Sequence, residues 1–407
     1  MRARHTAAVL VTIALFILFT ACNHGGAPVA SSGREMVTTS SGSSDILEVG
    51  SSDTTEAAVP TIVTPTVRVF AAGDNLIHSP IYQQAKNKSS GGGYNFDDAY
   101  RHVAKLVAPA DLAILNQETP IAGDLFPLSN YPLFNSPTQL GDKMIALGFN
   151  VVSHSNNHIL DKGEKGLLAT LDYWRSRNVL VYGAYRDEES LNTIPTKEIN
   201  GITFSFVGFM EHTNGLRLPE ASTARLVYTS ETETMRRLIQ KANELSDVVV
   251  VSVHWGVEVT STITEQQRSL ARFFADCGAD VVIGTQPHTL QSMEYLSNPD
   301  GSRTFVAYSL GNFISAQQNN LAMIGVTVDF NVSKSLADGK ISIQDVKAIP
   351  VITHYGPGYA DVTVYPYDEY TTELAAAHGV RAIGKFSKEY VDRIVHEHIP
   401  SEFLFSK

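Results

Sequence analysis

Short apolar runs rich in β-branched residues, separated by amphipathic helical stretches, set the narrowest limit on what this chain can fold into. From Val67 onward such runs occur at Val67–Ala72, Leu112–Leu115, Val151–Val152, Val179–Tyr182, Ile202–Phe209, Val248–Val253, Val281–Ile283 and Phe305–Tyr308. Several are continuously apolar, the pattern of strands buried on both faces. Between them, Met235, Leu238, Ile239, Ala242 and Leu245 form one stripe at helical spacing, and Leu167, Leu171 and Trp174 form another. Strand, helix, strand in this order predicts a layered α/β domain. After about Ala322 the runs Gly325–Asn331 and Ile341–Val346 alternate and lack helices between them, which predicts antiparallel strands flanking the main sheet. Two helices near Thr372–Ala377 and Lys388–Glu397 close the chain. With no internal repeat and no second linker, residues 67–400 read as one domain.

Polar residues collect where these runs end. Asp74 and His78 follow the first, Asn116 and Glu118 the second, and Ser153-His154-Ser155-Asn156-Asn157-His158 the third. His254-Trp255-Gly256 follows Val248–Val253, and Gly284-Thr285-Gln286-Pro287-His288 follows Val281–Ile283. Ligands of open α/β sheets bind outside the carboxyl ends of the strands, so these five segments should converge on one cleft. Two carboxylates, several imidazoles and side-chain amides in one place suit a divalent transition metal: Mn, Zn or Fe, one ion or two. Of the other histidines, His378 precedes Gly379 and fits a helix C-terminus where a cation is favourable, while His212 and His354 are unassigned.

The first residues predict where the chain works. Arg2 and Arg4 precede an uncharged apolar run, Ala7–Thr20, too short to span a membrane comfortably. The run ends in Phe19-Thr20-Ala21-Cys22, which resembles a bacterial lipoprotein signal with Cys22 lipidated; the alternative is an ordinary secretory signal cut near Ala21. Removing residues 1–21 takes the formal net charge from -11 to -13. Residues 23–66 contain no aromatic side chain and are dense in Ser, Thr and Gly, the composition of a flexible stalk. The expected location is therefore extracytoplasmic, on a lipid anchor in the cell membrane. Cys277, with Cys22 lipidated, has no partner and reads as a buried inert thiol on the helical pattern Leu270, Phe273, Phe274, Cys277. Two cysteines exclude a disulfide scaffold or a thiolate zinc site. Acidic balance with no basic run excludes a nucleic-acid partner, because phosphate backbones demand clustered Lys and Arg.

At Gly73-Asp74, Asn116-Gln117-Glu118, Asn156-Asn157-His158, His254-Trp255-Gly256, Pro287-His288 and Ser309-Leu310-Gly311-Asn312-Phe313 the sequence resembles the CapA (PGA-cap) family of bacterial capsule-synthesis proteins. The resemblance covers roughly Val67 to Pro400. It implies the calcineurin-like metallophosphoesterase fold, a central β-sandwich flanked by helices, and a part in poly-γ-glutamate capsule formation. It implies that Asp74 and His288 hold one metal, that Glu118 bridges, and that Asn157 and His254 hold a second. His158 takes the place of the histidine that protonates a leaving group or steadies the transition state. His78, spaced four from Asp74 where the superfamily spacing is two, is either a ligand or a substrate contact. Asn312 orients a ligand, and Asn116 and Asn156 belong to the substrate or supporting set. Gln286 stands where the family pattern has a ligand histidine; a neutral amide is the poorer ligand, so the second metal should be weaker, harder or absent.

Two kinds of function fit this reading. One is a metal-dependent envelope hydrolase acting on a phosphoester or on the polymer itself. The other is a non-catalytic subunit that binds or tethers an anionic polymer such as poly-γ-glutamate, or that serves as a scaffold beside membrane synthase subunits. His158→Ala should abolish only the first, and deletion of the stalk should impair only membrane-dependent roles.

Overall fold

The computed structural model describes residues 64–405. The expected signal segment 1–22, the expected lipidation at Cys22 and the expected stalk as far as residue 63 lie outside the described residues. Fourteen strands are found among those described: β1 (Thr66–Asn75), β2 (Leu112–Asn116), β3 (Val151–Ser153), β4 (Leu180–Tyr182), β5 (Thr196–Ile199), β6 (Ile202–Met210), β7 (Val248–His254), β8 (Val281–Thr285), β9 (Met293–Ser297), β10 (Arg303–Ala307), β11 (Asn312–Ile314), β12 (Ile324–Lys334), β13 (Ile341–His354) and β14 (Thr363–Pro366). They form two sheets, one in the order β14-β13-β12-β1-β2-β3-β4 with β11 also paired to β1, the other β5-β6-β7-β8-β10-β9.

The strands of the second sheet show why two sheets and helices pack in layers. On β6 to β10, Phe204, Phe206, Val248, Val250, Val281, Ile283 and Phe305 face a core shared with Val69, Ala71 and Ile114 of the first sheet. The intervening Val207, Phe209, Val249, Val251, Val282 and Val306 face a separate core with Met235, Leu238 and Ile239 of the helix Thr232–Leu245 and Phe274 of the helix Glu265–Asp276. Successive side chains of a strand point to opposite faces, so a continuously apolar strand serves two apolar layers at once. The layered α/β expectation, with a β-sandwich at the centre and helices outside, is met.

Three details differ from the sequence expectation. The first strand runs through Asn75, so Asp74 lies within β1, opposite Asn116 of β2 and Asn312 of β11. The strands after Ala322 are antiparallel and extend the first sheet, as expected, but β12 does not alternate: it is buried almost throughout because it lies in the sandwich. Finally β5, β9, β11 and β14, three of them only three or four residues long, have no counterpart in the sequence reading: β5, β9 and β14 pair antiparallel with the strand adjacent in the chain, and β11 pairs with the distant β1. His378 is also corrected: it caps the helix Thr372–Ala377, but burial pushes it down to about 4, so no cation sits there. Cys277 is a free, buried thiol at the end of its helix, as expected. Among the described residues no helix is long and apolar enough to cross a membrane.

Candidate metal centre

Side chains at or just after the carboxyl ends of β1, β2, β3, β7 and β8 meet at one point: Asp74, Glu118, His158, His254 and His288. Two close approaches lock the ends together. A Cβ on Gly73 would lie 2.0 Å from the Gly311 carbonyl oxygen, which accepts the Asp74 amide at 2.9 Å. Ser309 Oγ donates to the Thr289 carbonyl at 2.8 Å and accepts the Gly311 amide at 3.1 Å. Trp255, fully buried, donates from its indole to the Tyr308 carbonyl at 2.8 Å and fixes the turn after His254.

Glu118 is the centre of the arrangement. Its side chain is fully buried, and neither carboxylate oxygen has a hydrogen-bond partner. Around Oε1 stand three imidazole Nε2 atoms: His254 at 3.7 Å, His288 at 3.8 Å and His158 at 4.0 Å. These separations are too long for hydrogen bonds; those of His254 and His288 suit donors that each reach a cation shared with Glu118. Asp74, Glu118 and His288 each offer one donor atom, all within 4.8 Å of one another. Removing a carboxylate from water without a partner is costly, so such a group demands a proton or a cation. Burial, with the Asp74 charge beside it, drives Glu118 well above the usual carboxylate range. Burial opposes charge on His288, but Glu118 and Asp74 outweigh it and lift the imidazole to about 10. Burial, reinforced by the other imidazoles, holds His254 well below its ordinary value. The residues present therefore fit a divalent cation.

Neighbours hold these side chains in place. Asn116 Nδ2 donates to Asp74 Oδ1 at 2.7 Å, and Asn156 Nδ2 donates to Asn116 Oδ1 at 3.2 Å. His288 Nδ1 donates to Asp74 Oδ2 and Asn312 Oδ1, both at 3.1 Å, which leaves Nε2 toward Glu118. Asn157 Oδ1 lies 3.1 Å from His254 Nε2, and His254 Nδ1 is 2.9 Å from the Thr285 hydroxyl. Gln286 is buried with its Oε1 unpartnered. His78 stands apart: its Nδ1 lies 3.2 Å from the Leu76 carbonyl and accepts the Ala316 amide at 3.3 Å, and burial pushes it down to about 4.

Sequence reasoning missed Asp161, His212 and Phe134. Asp161 Oδ2 accepts from His158 Nδ1 at 2.8 Å and from the Phe134 amide at 2.7 Å. Its spacing of three from His158 on one turn was the available signal. The Phe134 ring stands edge-on to both His78 and His158, at 5.3 and 4.8 Å between centroids. His212 Nε2 accepts from Gln286 Nε2 at 3.2 Å. Neither Phe134 nor His212 stands in a pattern that a sequence could reveal.

Comparison with known proteins gives a consistent result. Residues 68–317 match the family described as Bacterial capsule synthesis protein PGA_cap. The PGA biosynthesis protein CapA of Bacillus subtilis (strain 168) is 30% identical over 190 residues, 46% of this chain and 48% of that protein. The Capsule biosynthesis protein CapA of Bacillus anthracis is 28% identical over 242 residues, 55% of each chain. The chain spans about half the length of the curated relatives it matches. Among solved structures, the NAD nucleotidase (NadN) of Haemophilus influenzae is similar with a TM-score of 0.42 and 14% identity, over 82% of this chain and 59% of that one.

Proposed function

The chain belongs to the bacterial capsule synthesis protein PGA_cap family, and on that premise we propose that it is a membrane-tethered protein of capsule or cell-envelope polymer metabolism with a metal-dependent hydrolase-type site. Its polymer is anionic, poly-γ-glutamate being the candidate, and its anchor is lipid on Cys22. The observation that carries the reading is the buried Glu118 carboxylate, unpartnered and ringed by three imidazoles. A structural cluster would satisfy those oxygens with hydrogen bonds; this one leaves them for a cation.

Asp74, Glu118 and His288 would hold one divalent ion of Mn, Zn or Fe, and Asn157 and His254 would face a second. The bound ion supplies Lewis acidity toward a phosphoryl or acyl oxygen. His158 carries the proton: Asp161 holds its Nδ1–H, so Nε2 faces the cluster, placed to serve a leaving group. Phe134 and His78 wall that side with apolar surface and an uncharged imidazole. Beyond His212 opens a groove of about 600 Å³ that includes Arg217 and Arg225. Arg225 pairs with Glu188, and Glu211 and Glu231 line the groove beside Arg217, so its charge does not by itself select the polymer.

The test is hydrolysis of bis-p-nitrophenyl phosphate and of poly-γ-glutamate by the Mn2+-loaded full chain beside His158→Ala. Turnover that falls at least about 100-fold in the variant, with metal retained, supports catalysis. Metal without turnover on either substrate favours the second reading, a polymer-binding or scaffold subunit of a synthase complex, for which Gln286 in place of a ligand histidine speaks. Membrane fractionation of Cys22→Ser tests the anchor: protein that stays in the membrane fraction counts against it.

A further inference from the structure

Residues 123–134, beside His158, keep large apolar side chains in water although the segment is firmly tied down. Tyr131, Leu125 and Leu133 are 71%, 59% and 42% exposed, and Asp124 is the one charged side chain among residues 123–134. Hydrogen bonds, not apolar burial, close the loop. The amides of Ser129 and Asn135 each donate to the other's carbonyl at 3.2 Å. The buried Asn135 side chain accepts the Ala122 amide at 3.1 Å and donates to the carbonyls of Gly123 at 3.1 Å and Phe126 at 2.9 Å. Asn130 Oδ1 accepts the Ser79 amide at 2.9 Å, next to His78. A loop held in one shape with apolar side chains left in solvent marks a contact surface. One carboxylate oxygen ties that surface to His158: Asp161 Oδ2 accepts from His158 Nδ1 at 2.8 Å and from the Phe134 amide at 2.7 Å. The buried Phe134 ring stands edge-on to His158, and the Tyr131 ring stands edge-on to Phe134 with 6.4 Å between centroids. Tyr131 is therefore one ring removed from His158 and itself largely in solvent.

We propose that Tyr131 determines substrate specificity at this site: its ring takes the face of a six-membered ring on the leaving alcohol of a phosphoester. This rests on the hydrolase reading above and narrows its substrate, since a γ-glutamyl link has no ring to offer. When water adds to phosphorus and the ester P–O bond breaks, the proton of His158 Nε2 goes to the departing oxygen. The leaving alcohol then stands on the side that Phe134 and Tyr131 line. An exposed aromatic ring offers its face to another aryl ring or to the C–H face of a sugar, and either contact removes apolar surface from water on both partners.

The experiment is steady-state hydrolysis by the Mn2+-loaded full chain of two esters: bis-p-nitrophenyl phosphate, whose leaving group is a ring, and bis-trifluoroethyl phosphate, whose leaving group is acyclic. Wild type, Tyr131→Ala and Tyr131→Phe are compared, with thermal melts as a folding control. Tyr131→Ala should raise KM for the ring ester about fivefold with kcat little changed, and should leave the acyclic ester as in wild type. Tyr131→Phe keeps the ring and should match wild type on both. Phenol and methyl glucoside as competitors separate an aryl ring from a sugar: the one that inhibits wild type and loses its effect in Tyr131→Ala names the ring. Equal losses on the two esters, or none on either, would overturn the assignment. So would unchanged kinetics with weaker sedimentation of Tyr131→Ala on phosphatidylglycerol vesicles, which would make the loop a lipid-facing surface. A wild type that hydrolyses neither ester would overturn the hydrolase reading itself.

Discussion

Two clusters of buried histidines in this molecule have opposite characters. The first gathers His158, His254 and His288 around Glu118. The second lies under the C-terminal helices, where His354 and His378 stand 4.9 Å apart between ring centroids among Tyr355, Tyr370 and Phe386. In the second, three ring nitrogens bond within the protein: His378 Nε2 donates to the Thr353 carbonyl at 2.9 Å, its Nδ1 accepts the Val380 amide at 3.1 Å, and His354 Nδ1 lies 3.2 Å from the Tyr370 hydroxyl. Burial pushes both down to about 4, so they are neutral packing residues. In the first, the same side chain faces carboxylate oxygens that nothing satisfies. A histidine cluster becomes a metal site when unpartnered carboxylate faces it, and core when aromatic rings and backbone groups use up its nitrogens.

The largest expected effect tests the carboxylate. Glu118→Gln should weaken Mn2+ binding at least about 100-fold by calorimetry, while His378→Phe leaves it unchanged. Equal metal affinity in Glu118→Gln and wild type would erase the distinction between the clusters. Next comes acid stability. A histidine whose folded value is lowered contributes stability that is complete above its unfolded value near 6.5 and is lost as pH falls through about 4. Between pH 7 and pH 4.5 the wild type should lose on the order of 2 kcal/mol more than His378→Phe in urea unfolding. An identical loss in both would mean that His378 does not couple protonation to folding. The smallest effect separates positioning from ligation: Asp161→Asn should lower turnover about tenfold and shift its pH profile, with metal content intact. Metal lost together with turnover would instead place Asp161 in support of the ion.

Much of the frame was legible in the chain. The continuously apolar runs at Val248–Val251 and Val281–Ile283 became strands serving two cores, since burial on both faces leaves little room for polar positions to alternate. The polar residues that follow them converge because parallel strands of layered α/β folds end on one edge. Less legible were β11 and β14, whose few residues carry no periodicity and exist only through ladders to β1 and β13. The histidines show the same divide. His354 and His212 are equally uninformative as letters, yet one is core and the other stands at Gln286.

What the sequence by itself determined was local: periodicity, strand ends and the chemical inventory of five segments, all properties of neighbours along the chain. Only the tertiary structure decided which inventories meet. Whether Glu118 keeps its oxygens free, whether Asp161 or a backbone group holds His158, and whether a loop 74 residues before Gln286 stands beside it depend on contacts between distant residues. The energy of a buried charge is set by what lies within a few ångströms of it, and sequence distance carries no information about that.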